Sequence, residues 1–427
     1  MLNKFIIYAV AGTLNRAVPF ALLPVITRYL APEEFGMWSI FQACITFAIP
    51  LVGMNSPINI TRNYYRSDKD QIAKLIGNLL IFISATFTLL IVAVSLVFAF
   101  GLNFLGLPKL WIYAIPFISF SNMVNQFNLT VLRNRNRAKT YGVYEIAFTL
   151  FNILTALGLI LLAGFGWSAL AWGRLSAGLI FSAISLLHLV YSGYFTLNYD
   201  VRRIKEILRI SLPLVPHALG GIVIRLSDRL FIDVMQDKTQ VGLYSIGYTF
   251  GSLVFLVTES FNKVWSPWIH RQFADINIAQ KKNIVRYTYY YNCGIILLAL
   301  FMTALSYVLI DHVIDPSYRS AKVYVVWVSL GLAIQGMYFM IFPYLVHLGK
   351  TNILGLLTGV TAVVNLTGNY LLIGINGTVG AAQSTLISYA FLFVAVWLYV
   401  TRAYPMPWFS SGIIKNLRRQ LSIVSQK

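Results

Sequence analysis

The sequence predicts an all-α integral membrane protein, with about twelve transmembrane helices arranged as two parallel six-helix repeats. Three observations predict it. Of 427 residues, 58% are hydrophobic and only 11% charged, against about 25% charged in a soluble domain. Apolar segments of spanning length, about 20 residues, recur along the whole chain with short connections. A five-residue motif also recurs half a chain apart, each time opening the next span after a charged one.

The first segment, 5–30, is interrupted by Asn15 and Arg16 and carries no small-residue cleavage site, so it reads as a retained span rather than a leader. Apolar runs at 37–60, 75–100, 110–132, 142–164 and 168–193 complete the first half. Those at 209–232, 242–265, 287–311, 322–346, 352–374 and 379–401 form the second, tilt absorbing the differences in length. Between the halves, the stretch from Leu197 to Arg209 puts Val201, Ile204 and Leu208 on one helical face among basic residues. That is the pattern of a helix lying on the membrane surface. The tail repeats it with Ile414, Leu417, Leu421 and Val424 beside Lys415, Arg418 and Arg419. The expected organisation is a six-helix bundle over 1–196, an amphipathic linker over 197–208, a second bundle over 209–402 and a basic amphipathic tail over 403–427.

The recurring motif is Gly36-Met37-Trp38-Ser39-Ile40 and Gly242-Leu243-Tyr244-Ser245-Ile246. Its placement supports a duplicated six-span unit, and an even number of spans per unit gives both copies the same orientation.

The net charge of +19 would suit nucleic acid if it were gathered on a soluble face. It is instead distributed by topology. With the N-terminus and even-numbered connections in the cytoplasm, that side holds 24 of the 33 basic residues and the opposite side only Lys109, Lys238, Arg319 and Lys322. The positive-inside rule then places both termini in the cytoplasm. The densest run, Arg133, Arg135, Arg137 and Lys139, reads as part of this signal, in contact with anionic lipid, recruitment of an anionic lipid headgroup being the alternative. Cys44 and Cys293 lie within spans and form neither a disulfide framework nor a metal cluster.

Five basic residues remain within or at the ends of spans, and all are arginine: Arg16, Arg28, Arg174, Arg225 and Arg229. Only Glu145, Asp228 and Glu259 are acidic and intramembrane, so at least two arginines lack a partner. That surplus costs about 5–7 kcal/mol on insertion scales. An anionic substrate explains it, because a guanidinium stays charged and grips phosphate oxygens bidentately. Each arginine could instead serve an internal ion pair or snorkel to an interface. Arg225, Asp228 and Arg229 can share one helical face, and the simplest role for Asp228 is pairing with Arg225 or Arg229. His217, after Pro216, suits either a cavity donor or an interhelical hydrogen bond. Glu145, Asp228 and Glu259 are the candidates to carry a coupling proton or sodium ion.

The chain resembles the polysaccharide-transporter branch (Wzx-type flippases of lipid-linked O-antigen repeat units) of the multidrug/oligosaccharidyl-lipid/polysaccharide exporter superfamily. The resemblance rests on Leu30-Ala31-Pro32-Glu33-Glu34-Phe35-Gly36, on Leu212-Pro213-Leu214-Val215-Pro216-His217 followed by Asp228-Arg229, and on Asn365 and Asn369 before Gly380-Ala381-Ala382. It covers nearly the whole chain in span number and order. It implies two six-helix bundles forming a V around a cationic cavity, in a bacterial inner membrane. It also implies movement of a polyprenyl-pyrophosphate-linked oligosaccharide to the periplasmic leaflet by alternating access, coupled to H+ or Na+ with no other cofactor. The implied partners are that glycolipid, membrane lipids and other polysaccharide-assembly membrane proteins, with no nucleic acid.

Other motifs carry no chemistry. Gly349-Lys350-Thr351 lacks the first glycine of a phosphate-binding loop, since Tyr344 stands there. Asp68-Lys69-Asp70 lies in a short basic loop without an accompanying domain, and neither HExxH nor Gly-x-Ser-x-Gly occurs. The glycine pairs Gly247/Gly251 and Gly355/Gly359 are expected to admit close helix packing. The alternatives are a cation-coupled exporter of small molecules on the same fold, which an arginine-lined cavity disfavours, and a membrane-embedded polysaccharide polymerase or acyltransferase. A polymerase of that kind would show a large periplasmic loop, and none is visible.

Overall fold

The computed structural model describes Val18 and residues 20–101, 106–212, 214–273 and 277–408. Every regular element among them is helical: α1 Leu23–Tyr29, α2 Pro32–Gly53, α3 Pro57–Tyr64, α4 Lys69–Ala99, α5 Lys109–Asn134, α6 Ala138–Ala163 and α7 Trp167–Tyr191. The chain continues through α8 Val201–Ser211, α9 Leu214–Met235, α10 Lys238–Gly251, α11 Leu253–Gln272, α12 Ile278–Val313, a 3-10 turn at Pro316–Ala321, α13 Lys322–His347, α14 Thr351–Asn376 and α15 Val379–Ala403.

Eight of the described helices are long and apolar enough to cross a membrane, and α10 with α11 passes the same test as a pair bent by 41°, the form of a broken span or a re-entrant loop. Two more have the length without the hydropathy. α5 has 26 residues and α9 has 22, against about 20 needed to span. α5 carries Asn122, Asn125, Gln126, Asn128 and Arg133, and α9 carries Arg225, Asp228, Arg229 and Asp233. Polar side chains in lipid-spanning helices belong where protein or water receives them, so these two helices mark the polar interior. Most of the expected first span, and nearly all of the expected tail helix, lie outside the described residues.

The chain forms two compact units, Met1–Ser245 with Val313–Tyr318, and Ile246–His312 with Arg319–Lys427. The boundary falls beyond α9, so α9 belongs with the first unit, where it packs on α2. In that unit α5 is central, touching α2, α3, α4, α6 and α7. In the second unit α13 and α14 both pack on α15, and α11 packs on α13. The linker helix α8 is capped by Asp200, whose side chain accepts from the Arg202 amide at 2.9 Å. Its buried apolar residue is Ile207, 1% exposed in the core of the first unit, with Ile204 and Leu208 packed beside it; Val201 is exposed. Arg203 donates to the Gln71 carbonyl at 3.1 Å. The amphipathic face therefore docks onto protein.

Two glycines define the tightest helix crossing of the first unit. A Cβ on Gly36 would strike the Lys238 carbonyl and lie 3.1 Å from the Gly242 nitrogen; a Cβ on Gly242 would strike the Pro32 carbonyl and lie 3.1 Å from the Gly36 nitrogen. Each copy of the repeated motif thus meets the other through the same atoms, four residues upstream and at the glycine itself. This reciprocity is the signature of a two-fold relation, here between the two copies of a duplicated sequence. Gly247 and Gly251 also face close neighbours, Ala321 and Tyr324 for the first and Val328 for the second. Gly355 and Gly359 do not: a Cβ on either meets nothing within 4 Å. The packing role expected for that pair is corrected, because their face of α14 turns away from neighbouring helices.

Candidate functional site

A cavity of about 710 Å³ opens within the first unit. Among the described residues, four segments line it. α2 contributes Thr46, Ile49 and Pro50, and the start of α3 contributes Pro57, Ile58 and Thr61. Between them the chain passes through left-handed conformations at Met54 (φ 43°) and Asn55 (φ 54°), which break the span and expose Asn55 to the cavity. Gly53 lets α2 approach α5: a Cβ there would overlap the Met123 side chain. α5 contributes Asn122, Met123, Gln126 and Arg133, and α9 contributes Ala218, Ile222 and Arg225. The last three are spaced four and three apart, one face of a helix.

Two guanidiniums, three carboxamides and two threonines therefore line the cavity, with no carboxylate among the described lining. Arg133 and Arg225 are both exposed to it. Sequence reasoning named Arg225 but assigned Arg133 to topology and passed over Asn122 and Gln126. A signal existed: positions 122, 126 and 133 fall within about 40° of one another at about 100° per residue.

Arg229 and Asp228, one turn beyond Arg225, do not line the cavity. Asp228 is 1% exposed and Arg229 7%. They form a salt bridge at 2.9 Å, and the Arg229 amide donates to the same carboxylate oxygen at 2.8 Å. The Tyr244 hydroxyl donates to the other oxygen, while Arg229 also donates to the Arg225 carbonyl at 3.1 Å and lies 5.7 Å from the Tyr244 ring centre. A buried pair survives in low dielectric when hydrogen bonds occupy its remaining valences. This cluster meets that condition. It fixes α9 to the motif-bearing helix α10 and so sets the pose of Arg225.

The other candidates are dispersed. Arg174 packs between α6 and α7 with its guanidinium 5.5 Å from the Phe148 ring centre. Its Nε is buried without a hydrogen-bond partner, and no carboxylate pairs with it among the described residues. Arg28 closes α1 and is exposed. Glu145 is half-buried on α6, and Glu259 on α11 of the second unit pairs with Lys263 at 3.4 Å. Arg16 lies outside the described residues, as does the side chain of His217.

Beside the cavity, α5 turns a second polar face toward α6 and α7. Tyr144 donates to Asn125 Oδ1 at 2.7 Å, Ser185 donates to the same oxygen at 3.1 Å, and Asn128 Oδ1 lies 2.7 Å from His188 Nδ1. These side chains satisfy one another and hold the three helices together. No group of three or more metal-ligating side chains occurs among the described residues.

This architecture has relatives. The structure of the lipid II flippase MurJ in an inward closed conformation superposes with a TM-score of 0.73, covering 93% of this chain and 87% of that one at 13% identity. An inward-facing multidrug resistance MATE family transporter of the MOP superfamily gives 0.65, covering 88% and 91% at 14% identity. By sequence, protein 1 of the Lsg locus of Haemophilus influenzae is 22% identical over 364 residues, 82% of this chain and 85% of its own length. A family model described as polysaccharide biosynthesis protein matches residues 1–273, which contain every described lining residue of the cavity and the Asp228–Arg229–Tyr244 cluster. The chain belongs to the polysaccharide biosynthesis protein family.

Proposed function

We propose that this protein is a flippase. Its substrate is a polyprenyl-pyrophosphate-linked oligosaccharide, an O-antigen or related surface-polysaccharide repeat unit, carried from the cytoplasmic to the periplasmic leaflet of a bacterial inner membrane. The observation that carries the reading is a cavity with Arg225 and Arg133 on its walls and no carboxylate among its described lining. Two uncompensated guanidiniums in one membrane cavity are costly without an anion, and a pyrophosphate supplies that anion while sugars hydrate the polar walls. The polysaccharide family and the likeness of fold to a lipid II flippase support the same reading.

Net movement of the lipid against its gradient by alternating access needs a driving ion, and H+ or Na+ carried by a carboxylate is the proposed one. Glu145, Asp228 and Glu259 are the coupling candidates, Asp228 being held by Arg229 and Tyr244 and Glu259 pairing with Lys263. Among the arginines, Arg225 is the proposed phosphate ligand of the cavity, with Arg16 as its proposed companion; Arg28 and Arg174 are subsidiary, and Arg229 acts by positioning.

The test uses the full chain in proteoliposomes with a fluorescent polyprenyl-pyrophosphate oligosaccharide and an imposed ion gradient. Wild type moves the lipid between leaflets, and Arg225→Gln reduces the rate about tenfold or more, the scale of one charge-assisted hydrogen bond. If Arg225→Gln transports normally, the site assignment fails. If wild type moves organic cations and not the glycolipid, the small-molecule exporter replaces the flippase.

A further inference from the structure

α5 carries seven polar or charged side chains from Asn122 to Asn134, and the fold sorts five of them by direction. Asn125 and Asn128 point into the hydrogen-bonded network with Tyr144, Ser185 and His188. Asn122, Gln126 and Arg133 line the cavity instead. From Ser121 to Leu132 every residue of α5 is buried except Asn122 and Gln126, which are half-buried. Neither of these two amides is hydrogen-bonded to another described residue. A polar amide left in a membrane helix without a partner is rare unless water or a ligand receives it.

The three side chains form one line along the helix. Their spacing of four and seven residues keeps them within about 40° of each other and spreads them over about 17 Å. Met123 and Ile222 supply apolar wall to the same cavity, and Thr46, Asn55 and Thr61 also line it. The line has a polarity: a guanidinium at the α5 C-terminus, then two neutral amides deeper in.

We infer that this stripe is the recognition element for the head of the glycolipid, Arg133 taking a phosphate and Gln126 and Asn122 reading the hydroxyls of the attached sugars. The inference rests on the glycolipid reading proposed above and assigns its parts within the cavity. A carboxamide presents an acceptor and two donors together, which matches the paired donor and acceptor capacity of sugar hydroxyls. A guanidinium offers only donors in a fork and matches phosphate oxygens. The order along α5 therefore fixes how the substrate lies, with pyrophosphate at the Arg133 end and sugars extending toward Asn122. Arg225, on α9, reaches the same cavity from another wall.

The test is a binding measurement on the full-length purified protein. One probe is undecaprenyl pyrophosphate without sugar; the other is the pool of undecaprenyl-pyrophosphate-linked oligosaccharides extracted from the cells that make this protein. Wild type is expected to bind the sugar-bearing lipid about tenfold more tightly than the bare one, the scale of two ordinary hydrogen bonds. Asn122→Leu with Gln126→Met, close in volume, should abolish that preference and leave affinity for the bare lipid unchanged. Arg133→Gln should weaken both lipids about equally, and Arg133→Lys should restore part of the loss. Equal wild-type affinity for the two lipids, or a preference that survives in the double variant, overturns the assignment while leaving the flippase reading in place. Loss of affinity for both lipids in a double variant with an unchanged melting temperature also overturns it, because the amides would then hold the part the two lipids share and not the sugars. Failure of wild type to bind either lipid removes the flippase reading itself.

Discussion

The crossing of the repeated motifs can be tested by adding a single methyl group. In Gly36→Ala the new Cβ falls on the Lys238 carbonyl, with the Lys238 carbonyl carbon at 2.8 Å and the Gly242 nitrogen at 3.1 Å. All three are backbone atoms, and no rotamer can move them aside. Overpacking of a filled site costs about 1–3 kcal/mol, and a backbone obstacle puts this case at the upper end. The gain in helix propensity from glycine to alanine returns about 1 kcal/mol. A net loss of about 2 kcal/mol follows. Gly158→Ala on α6 is the control: nothing lies within 4 Å of its Cβ, so only the propensity gain of about 0.5–1 kcal/mol remains. The two substitutions are chemically identical and should move stability in opposite directions. Gly242→Ala meets the mirror-related obstacle, the Pro32 carbonyl. Once one methyl has parted the helices, the second finds space already made, so the double variant should cost less than the sum of the singles. Reversible unfolding in detergent, followed by intrinsic tryptophan fluorescence, measures all four proteins. A Gly36→Ala melting point at or above wild type, or strict additivity in the double variant, would refute the crossing as described.

Two further outcomes concern buried charge. Asp228→Asn leaves the Arg229 guanidinium buried without its counterion, and removal of one partner from such a pair costs about 3–5 kcal/mol; folded yield after detergent extraction should drop sharply, and an unchanged yield would contradict the cluster. Arg174 presents the opposite case, a buried guanidinium over Phe148 with an unpartnered Nε. Arg174→Met keeps the apolar stem and removes the charge, so the melting temperature should hold or rise; a large fall would reveal an essential polar contact of that side chain.

The architecture was legible because hydropathy is a one-dimensional property: a segment either has the length and apolarity to cross a bilayer or lacks them. The duplication was legible for the same reason, since five residues repeated in register need no third dimension, although only the structure shows Gly36 and Gly242 touching. What the sequence could not separate was direction around a helix axis among polar residues of one type. Asn122, Asn125, Gln126 and Asn128 lie within seven positions of one helix, yet two are bonded into the protein and two look into a cavity. The wheel alone groups them correctly, but it does not say which group has neighbours. That depends on α6 and α7 supplying Tyr144, Ser185 and His188 on one side and on the break at Met54 and Asn55 leaving space on the other. Arg225 and Arg229 show the same limit. One turn separates them, and spacing alone leaves both able to pair with Asp228 and both as candidates for a phosphate. The Tyr244 hydroxyl, delivered by the second copy of the repeated motif, draws Asp228 and Arg229 into the protein interior and leaves Arg225 to the cavity. The duplication that shapes the fold thereby also selects which arginine is available to a substrate.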